Sequence, residues 1–208
     1  MGNVFVDSFD KIKKAMFRAL GIEINKKIKS NSPKFVQAMR ILIPKWIEEQ
    51  PEIASLRSTG VQGSLAAQFG IVPGDEANAI GKIISILSDS IEVIVQPVDD
   101  LLNGGVEFAF NPAIFSELTG LSEGTVVTEK GTTLNWLNWL LTKGDSVIVS
   151  GYQYVPSDDG RSGGGTMKIG SIWRVPPEFS GTEENNFITR AFDNREAEIE
   201  RLLQDILK

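Results

Sequence analysis

The sequence predicts an α+β fold: N-terminal helices, a small antiparallel β-sheet with one long hairpin, and a C-terminal helix. Three observations predict it. Apolar residues recur every three or four positions through the first third of the chain. The period changes to two from Ile91, and again on both sides of a glycine-rich segment, Pro156–Gly165. It returns to three or four over the last two dozen residues. Helices, then strands, then a helix is the order of an α+β chain. On this order residues 1–72 are an N-terminal helical region and residues 73–208 an α+β core.

The elements follow in turn. Phe5, Phe9, Ile12, Met16, Leu20, Ile24 and Ile28 form a one-face apolar stripe, with Lys and Arg opposite. Gly21 inside the stripe is a point of bending or breakage. Ser32-Pro33 reads as an N-cap and first helical residue, so a second helix starts there, carried by Phe35, Met39, Leu42 and Trp46. Pro44 should kink or end that helix. Pro51 opens a short piece through Arg57, and Ala77, Ile80, Ile83, Ile84 and Leu87 fit another helix. Ile91–Gln96 and Val106–Phe110 alternate around Asn103-Gly104-Gly105, which predicts a hairpin. Residues 112–131 read as loop with a short helix at Ile114–Leu118 and a strand at Thr125–Thr128. Thr132 or Thr133 caps a helix over Leu134–Leu141, closed by Lys143-Gly144. Residues 146–173 are a long hairpin whose tip, PSDDGRSGGG, reads as mobile. A C-terminal helix is expected over 183–207 with Thr182 as its cap.

Composition limits the chemistry. The 208 residues include no His and no Cys. That removes the Ser-His-Asp triad, the imidazole base or metal ligand, the thiolate and the disulfide. Neither a cofactor site nor a metal site is expected. The net charge of −6 argues against a general nucleic-acid binder, but it is unevenly spread. From Lys11 to Lys45 there are ten bases (Lys11, Lys13, Lys14, Arg18, Lys26, Lys27, Lys29, Lys34, Arg40, Lys45) and one acid, Glu23. That segment is +9 and the remainder −15, a polarity that suits a second copy, another charged partner or a membrane surface. No apolar run is long enough to span a membrane. The N-terminus has no signal-peptide architecture, and Val6 stands where myristoylation wants Ser or Thr.

The remaining motifs are weak as chemistry. GRSGGG lacks the Lys-Ser/Thr of a phosphate loop and lies between strands. Asp99-Asp100 and Asp158-Asp159 lack the spacing of a calcium loop and read as solvated turns. Trp136 and Trp139 share one side of a short helix, as core or as an interface anchor. The candidate subunit-interface residues are Asp158, Asp159 and Arg161 in the tip, Trp173 and Arg174 at the hairpin end, and Lys13, Lys14 and Lys27 on the basic face.

Two long segments carry a family resemblance: LNWLNWLLTKGDSVIVSGYQYV (Leu134–Val155) and WRVPPEFSGTEENNFITRAFDN (Trp173–Asn194). Ser32–Ile71 adds to it through Gly63, Leu65 and Phe69-Gly70. The chain resembles the neck or tail-completion proteins of long-tailed bacteriophages, a class that includes adaptors, stoppers and tail terminators. The resemblance implies a non-enzymatic virion protein, assembled in the host cytoplasm, in a ring at the head–tail junction. It implies a homo-oligomer, often a hexamer, with other neck, connector and tail proteins as partners. Genomic DNA would pass through without sequence-specific binding, and no membrane is involved. It further implies that the long hairpin reaches neighbours, and that Asn186-Phe187 and Arg190-Ala191 anchor the last helix. The alternative is a soluble binding module that uses the basic N-terminal helix on nucleic acid or a membrane surface. An enzyme working through carboxylates alone is a third possibility.

Overall fold

The computed structural model describes residues 8–111, 113–128 and 130–208. The fold is α+β, with eight α-helices and three two-stranded antiparallel sheets among the described residues. They fall into two compact units, neither continuous in sequence. One comprises residues 8–40, Ile91–Asn111 and Glu196–Lys208; the other comprises Ile41–Ser90 and residues 113–195.

The first unit is organised on residues 9–40 of α1, Phe9–Glu48, a single helix whose remaining turns belong to the second unit. Gly21, Pro33 and Pro44 do not interrupt it, which corrects the expected break and second start. Gly21 serves close approach: a Cβ there would lie 3.2 Å from the Asp99 carbonyl. Pro33 forfeits one helical N–H bond but holds a helical φ. The side chains before it donate to carbonyls one turn back: Ser30 and Asn31 to Lys27, Ser32 to Ile28. Ile28, Phe35 and Met39 are buried, so packing holds the helix where propensity is poor.

β1, Ile91–Gln96, and β2, Gly105–Phe110, pair from Ile91–Phe110 to Gln96–Gly105, the predicted hairpin. Asn25 of α1 clamps its turn: its Nδ2 donates to Val98 O at 3.0 Å and its Oδ1 accepts from Val98 N at 2.7 Å. Asp99 is a turn residue. It accepts from the N–H groups of Asn103 and Leu101, which hold its carboxyl below the usual range. α8, Glu196–Leu207, completes the unit. The lower half of the predicted apolar stripe is uncovered: Phe9 is 78% exposed, and Ile12, Met16 and Leu20 are exposed too. Phe5 lies outside the described residues.

The second unit holds the main core. It begins with α2 (Pro51–Arg57), α3 (Leu65–Phe69) and α4 (Asp75–Asp89). Then come α5 (Ile114–Thr119), a short 3-10 turn, β3 (Val126–Val127), β4 (Thr133–Leu134) and α6 (Trp136–Thr142). β5 (Val149–Pro156), β6 (Gly165–Trp173) and α7 (Phe187–Ala191) complete it. Thr133 and Leu134 are strand, not helix; Asn135 is the cap of α6, accepting from Asn138 N at 3.0 Å. The expected helix over 183–207 is two helices. Asn186 and Thr189 form a capping box that starts α7 late, and Asn194 at φ 58° separates it from α8.

α7 is tied to α2 through charge. Glu52 is fully buried and bonds the Arg190 guanidinium, which also donates to Asn185 Oδ1 at 3.0 Å. Burial raises the Glu52 carboxyl above its ordinary range, against its own backbone N–H and Arg190, which lower it. Removing the arginine strands a buried carboxylate, so Arg190→Ala should cost about 3–5 kcal/mol in denaturant unfolding. A raised pKa means the Glu52 contribution is full below the ordinary value of 4.5 and lost as pH rises. Glu52→Gln should therefore gain on the wild type as pH rises above 4.5. A flat or opposite difference in urea midpoints would contradict this assignment.

Candidate assembly surface

The long hairpin is held at both ends and bare between them. At its root, Trp173 is 5% exposed and sits among aromatic rings. Phe69 meets it edge-on at 5.9 Å, Trp139 lies at 5.7 Å, and its Nε1 donates to Gln68 Oε1 at 3.2 Å. Phe69 also stacks on Trp136 at 5.6 Å. These side chains bring α3, α6 and β6 together in a single aromatic cluster, worth about 0.5–1.5 kcal/mol per ring pair beyond area burial.

The tip is packed, which corrects the expected mobile loop. Ser162 is buried; its carbonyl accepts from Gly60 N at 2.9 Å and its hydroxyl donates to Ala67 O at 3.4 Å. Tyr154 accepts from Gly63 N at 2.8 Å and donates to Gly164 O at 2.6 Å. Gly164 has no room for a side chain: a Cβ would lie 2.7 Å from the Ala67 Cβ and 2.8 Å from Val61 O. Gly164 therefore serves close approach to α3 and the loop before it, whereas Gly160 and Gly165 are crowded by the hairpin itself.

Between root and tip the ribbon carries an apolar face. Tyr152 pairs with Ile169, Tyr154 with Met167 and Ser150 with Ile172. One β5 residue, Gly151, faces two β6 residues, Gly170 and Ser171, so β6 has a bulge. The bulge shifts the alternation by one and puts Ile172 on the same side as Ile169 and Met167. Ile169 is 86% exposed, and Tyr152, Met167 and Ile172 are exposed with it. No charged residue belongs to this face; Lys168 pairs with Gln153 on the other. Neither strand has a second partner among the described residues, so both edges present unpaired backbone.

The sequence-predicted interface residues have mixed positions. Trp173 is a core residue and offers no surface to a neighbour. Asp158 accepts from Gln62 Nε2 at 2.9 Å, and the Asp159 carbonyl accepts from Gly165 N at 3.1 Å, so both are exposed members of the docked tip. Arg161 donates to Val127 O and its guanidinium lies over Gly70. Arg174 pairs with Asp145 at 2.9 Å. Lys13 lies 5.4 Å from the Phe17 ring centre, Lys14 is exposed, and Lys27 donates to Leu207 O at 3.1 Å. The lysines belong to the first unit and the tip to the second. The exposed members of the ribbon were missed because Met167 and Ile169 alternate with Lys168 and Gly170 like any half-buried strand. Gly170 within that pattern was the one legible sign of a bulge.

No protein-family model, curated protein or solved structure matches this chain. No group of acidic side chains among the described residues is arranged to hold a metal ion. No helix among them is long and apolar enough to cross a membrane.

Deleting Asp158–Gly164 should destabilise the second unit. It removes the two bonds of Ser162 and the one of Asp158 to the body, on the order of 3 kcal/mol at about 1 kcal/mol per bond. Thermal unfolding by circular dichroism should show a lower Tm; an unchanged Tm would return the tip to the status of a loose loop.

Proposed function

We propose that this chain is a structural, non-enzymatic subunit that works by associating with further copies of itself. One observation carries the reading: a ribbon clamped at both ends that presents Tyr152, Met167, Ile169 and Ile172 to solvent along two open strand edges. Isolated two-stranded ribbons are marginal in water, and a bulge that gathers apolar groups on the outside stabilises nothing within one copy. An uncharged apolar face meets its own kind without repulsion, and the open edges accept another strand whatever its sequence. The clamps leave little entropy to be lost on association.

The resemblance of Leu134–Val155 and Trp173–Asn194 to neck and tail-completion proteins supports a more specific role. We infer a homo-oligomeric ring, of hexameric order, at a bacteriophage head–tail junction. Connector and tail proteins would lie on either side and DNA would pass without sequence reading. In that role the absence of His and Cys costs nothing, because the work is shape and contact.

Sedimentation of the purified chain tests association. The wild type should form a discrete oligomer, whereas Ile169→Lys with Ile172→Lys should sediment as a monomer with its Tm preserved. Each buried charge of that kind costs several kcal/mol at an interface and nothing at a solvated surface. A wild type that remains monomeric at all concentrations would overturn the reading, as would an oligomer indifferent to both lysines.

A further inference from the structure

The basic segment of α1 is answered within its own unit. Residues 91–111 contain Glu92, Asp99, Asp100 and Glu107 and no Lys or Arg. α8 contains Glu196, Glu198, Glu200 and Asp205 against one arginine, Arg201. An acidic amphipathic helix is therefore the complement of a basic one, and Lys27 of α1 bonds the Leu207 carbonyl at the far end of α8. Charge defines what belongs on α1: a helix of the α8 kind.

α8 is nevertheless loosely held. None of its residues is buried, and Ile199, Leu202, Leu203, Ile206 and Leu207 are only half-buried. The chain before it is fixed. Phe192 meets the Trp46 ring edge-on at 5.7 Å, and the Arg195 guanidinium lies 5.2 Å over the same ring and 2.8 Å from Glu49. The left-handed Asn194 lies between them, and the chain passes from one compact unit to the other directly after Arg195. A firm anchor, a sharp turn and a weakly buried amphipathic helix are the parts of an exchangeable arm.

We propose that α8 is exchanged between copies: in the assembly it lies on α1 of a neighbouring copy in the position it takes on its own α1 in the isolated chain. The occupant of the α1 surface is thus a second copy of this chain, and the same contacts serve inside one copy or between two. Exchange needs new backbone angles only near Asn194–Glu196, and it turns a marginal contact into a link between subunits. This inference rests on the self-associating role proposed above and names a contact within it that is separate from the ribbon.

The absence of cysteine makes the test direct. Lys27→Cys and Lys208→Cys put the only two thiols at the two ends of the Lys27–Leu207 contact, both exposed. A short bismaleimide is applied to the monomeric and assembled fractions of the full chain, separated by sedimentation. In the monomer the crosslink should close within one chain. In the assembled fraction it should join chains, giving a ladder of multiples on a denaturing gel, and the intrachain product should disappear. Two single-cysteine chains mixed before assembly should give the crosslinked dimer, which keeps the test independent of how the doubly substituted chain folds. An assembled fraction that yields only intrachain product overturns exchange and leaves self-association standing. A chain with no assembled fraction overturns both.

Discussion

The second unit depends on the burial of Phe69. Its ring is the common neighbour of Trp136, Trp139 and Trp173, at 5.6, 6.5 and 5.9 Å. Through it a five-residue helix, α3, becomes the platform on which α6 and the root of the β5–β6 ribbon are set. The same helix receives the tip, because Ser162 and Gly164 close on Ala67 two residues before that ring. One short element thus holds both ends of a ribbon that has no third strand among the described residues. What remains free is the middle, and the bulge opposite Gly151 decides that its free side is apolar. A rigid scaffold presenting an uncharged, open-edged surface is suited to repeated contact between identical units.

Charge has a complementary part. The +9 segment looks, in sequence, like a surface awaiting a polyanion or an acidic neighbour. In the folded chain the acidic residues 91–111 and α8 belong to the same unit as its basic helix. Opposite charge is thus gathered within one unit, around a helix of 40 residues whose own sequence contains two prolines. The buried pair of Glu52 and Arg190 is a different kind of contact, a local tie between α2 and α7 with one carboxylate oxygen left unbonded.

The α+β class, the Pro51–Arg57 helix and the first hairpin were legible because local signals decide them. Proline at the first helical position and Asn-Gly-Gly between alternating runs leave few alternatives. The continuity of α1 was not legible. Pro33 and Pro44 carry a local penalty, and the burial of Phe35, Ile43 and Trp46 that outweighs it is tertiary. The reverse error occurred near Asn194, where an unbroken apolar period concealed a left-handed residue. The tip was misread for a related reason. Glycine gives the same sequence signature whether it provides freedom or clearance, and only Ala67 and Val61 beside Gly164 distinguish the two. The apolar side of the ribbon was hidden by its bulge, since alternation alone puts Ile169 and Ile172 on opposite faces.

This chain is proposed to act as one of many copies in a larger body. Cryo-electron microscopy of phage particles that carry the gene, with the chain located by fitting its second unit, is the most direct measurement. The expected result is a closed ring of copies between head and tail, with the Tyr152, Met167, Ile169 and Ile172 face covered by the adjacent subunit. Particles that lack the chain, or a ring in which that face remains open to solvent, would contradict it.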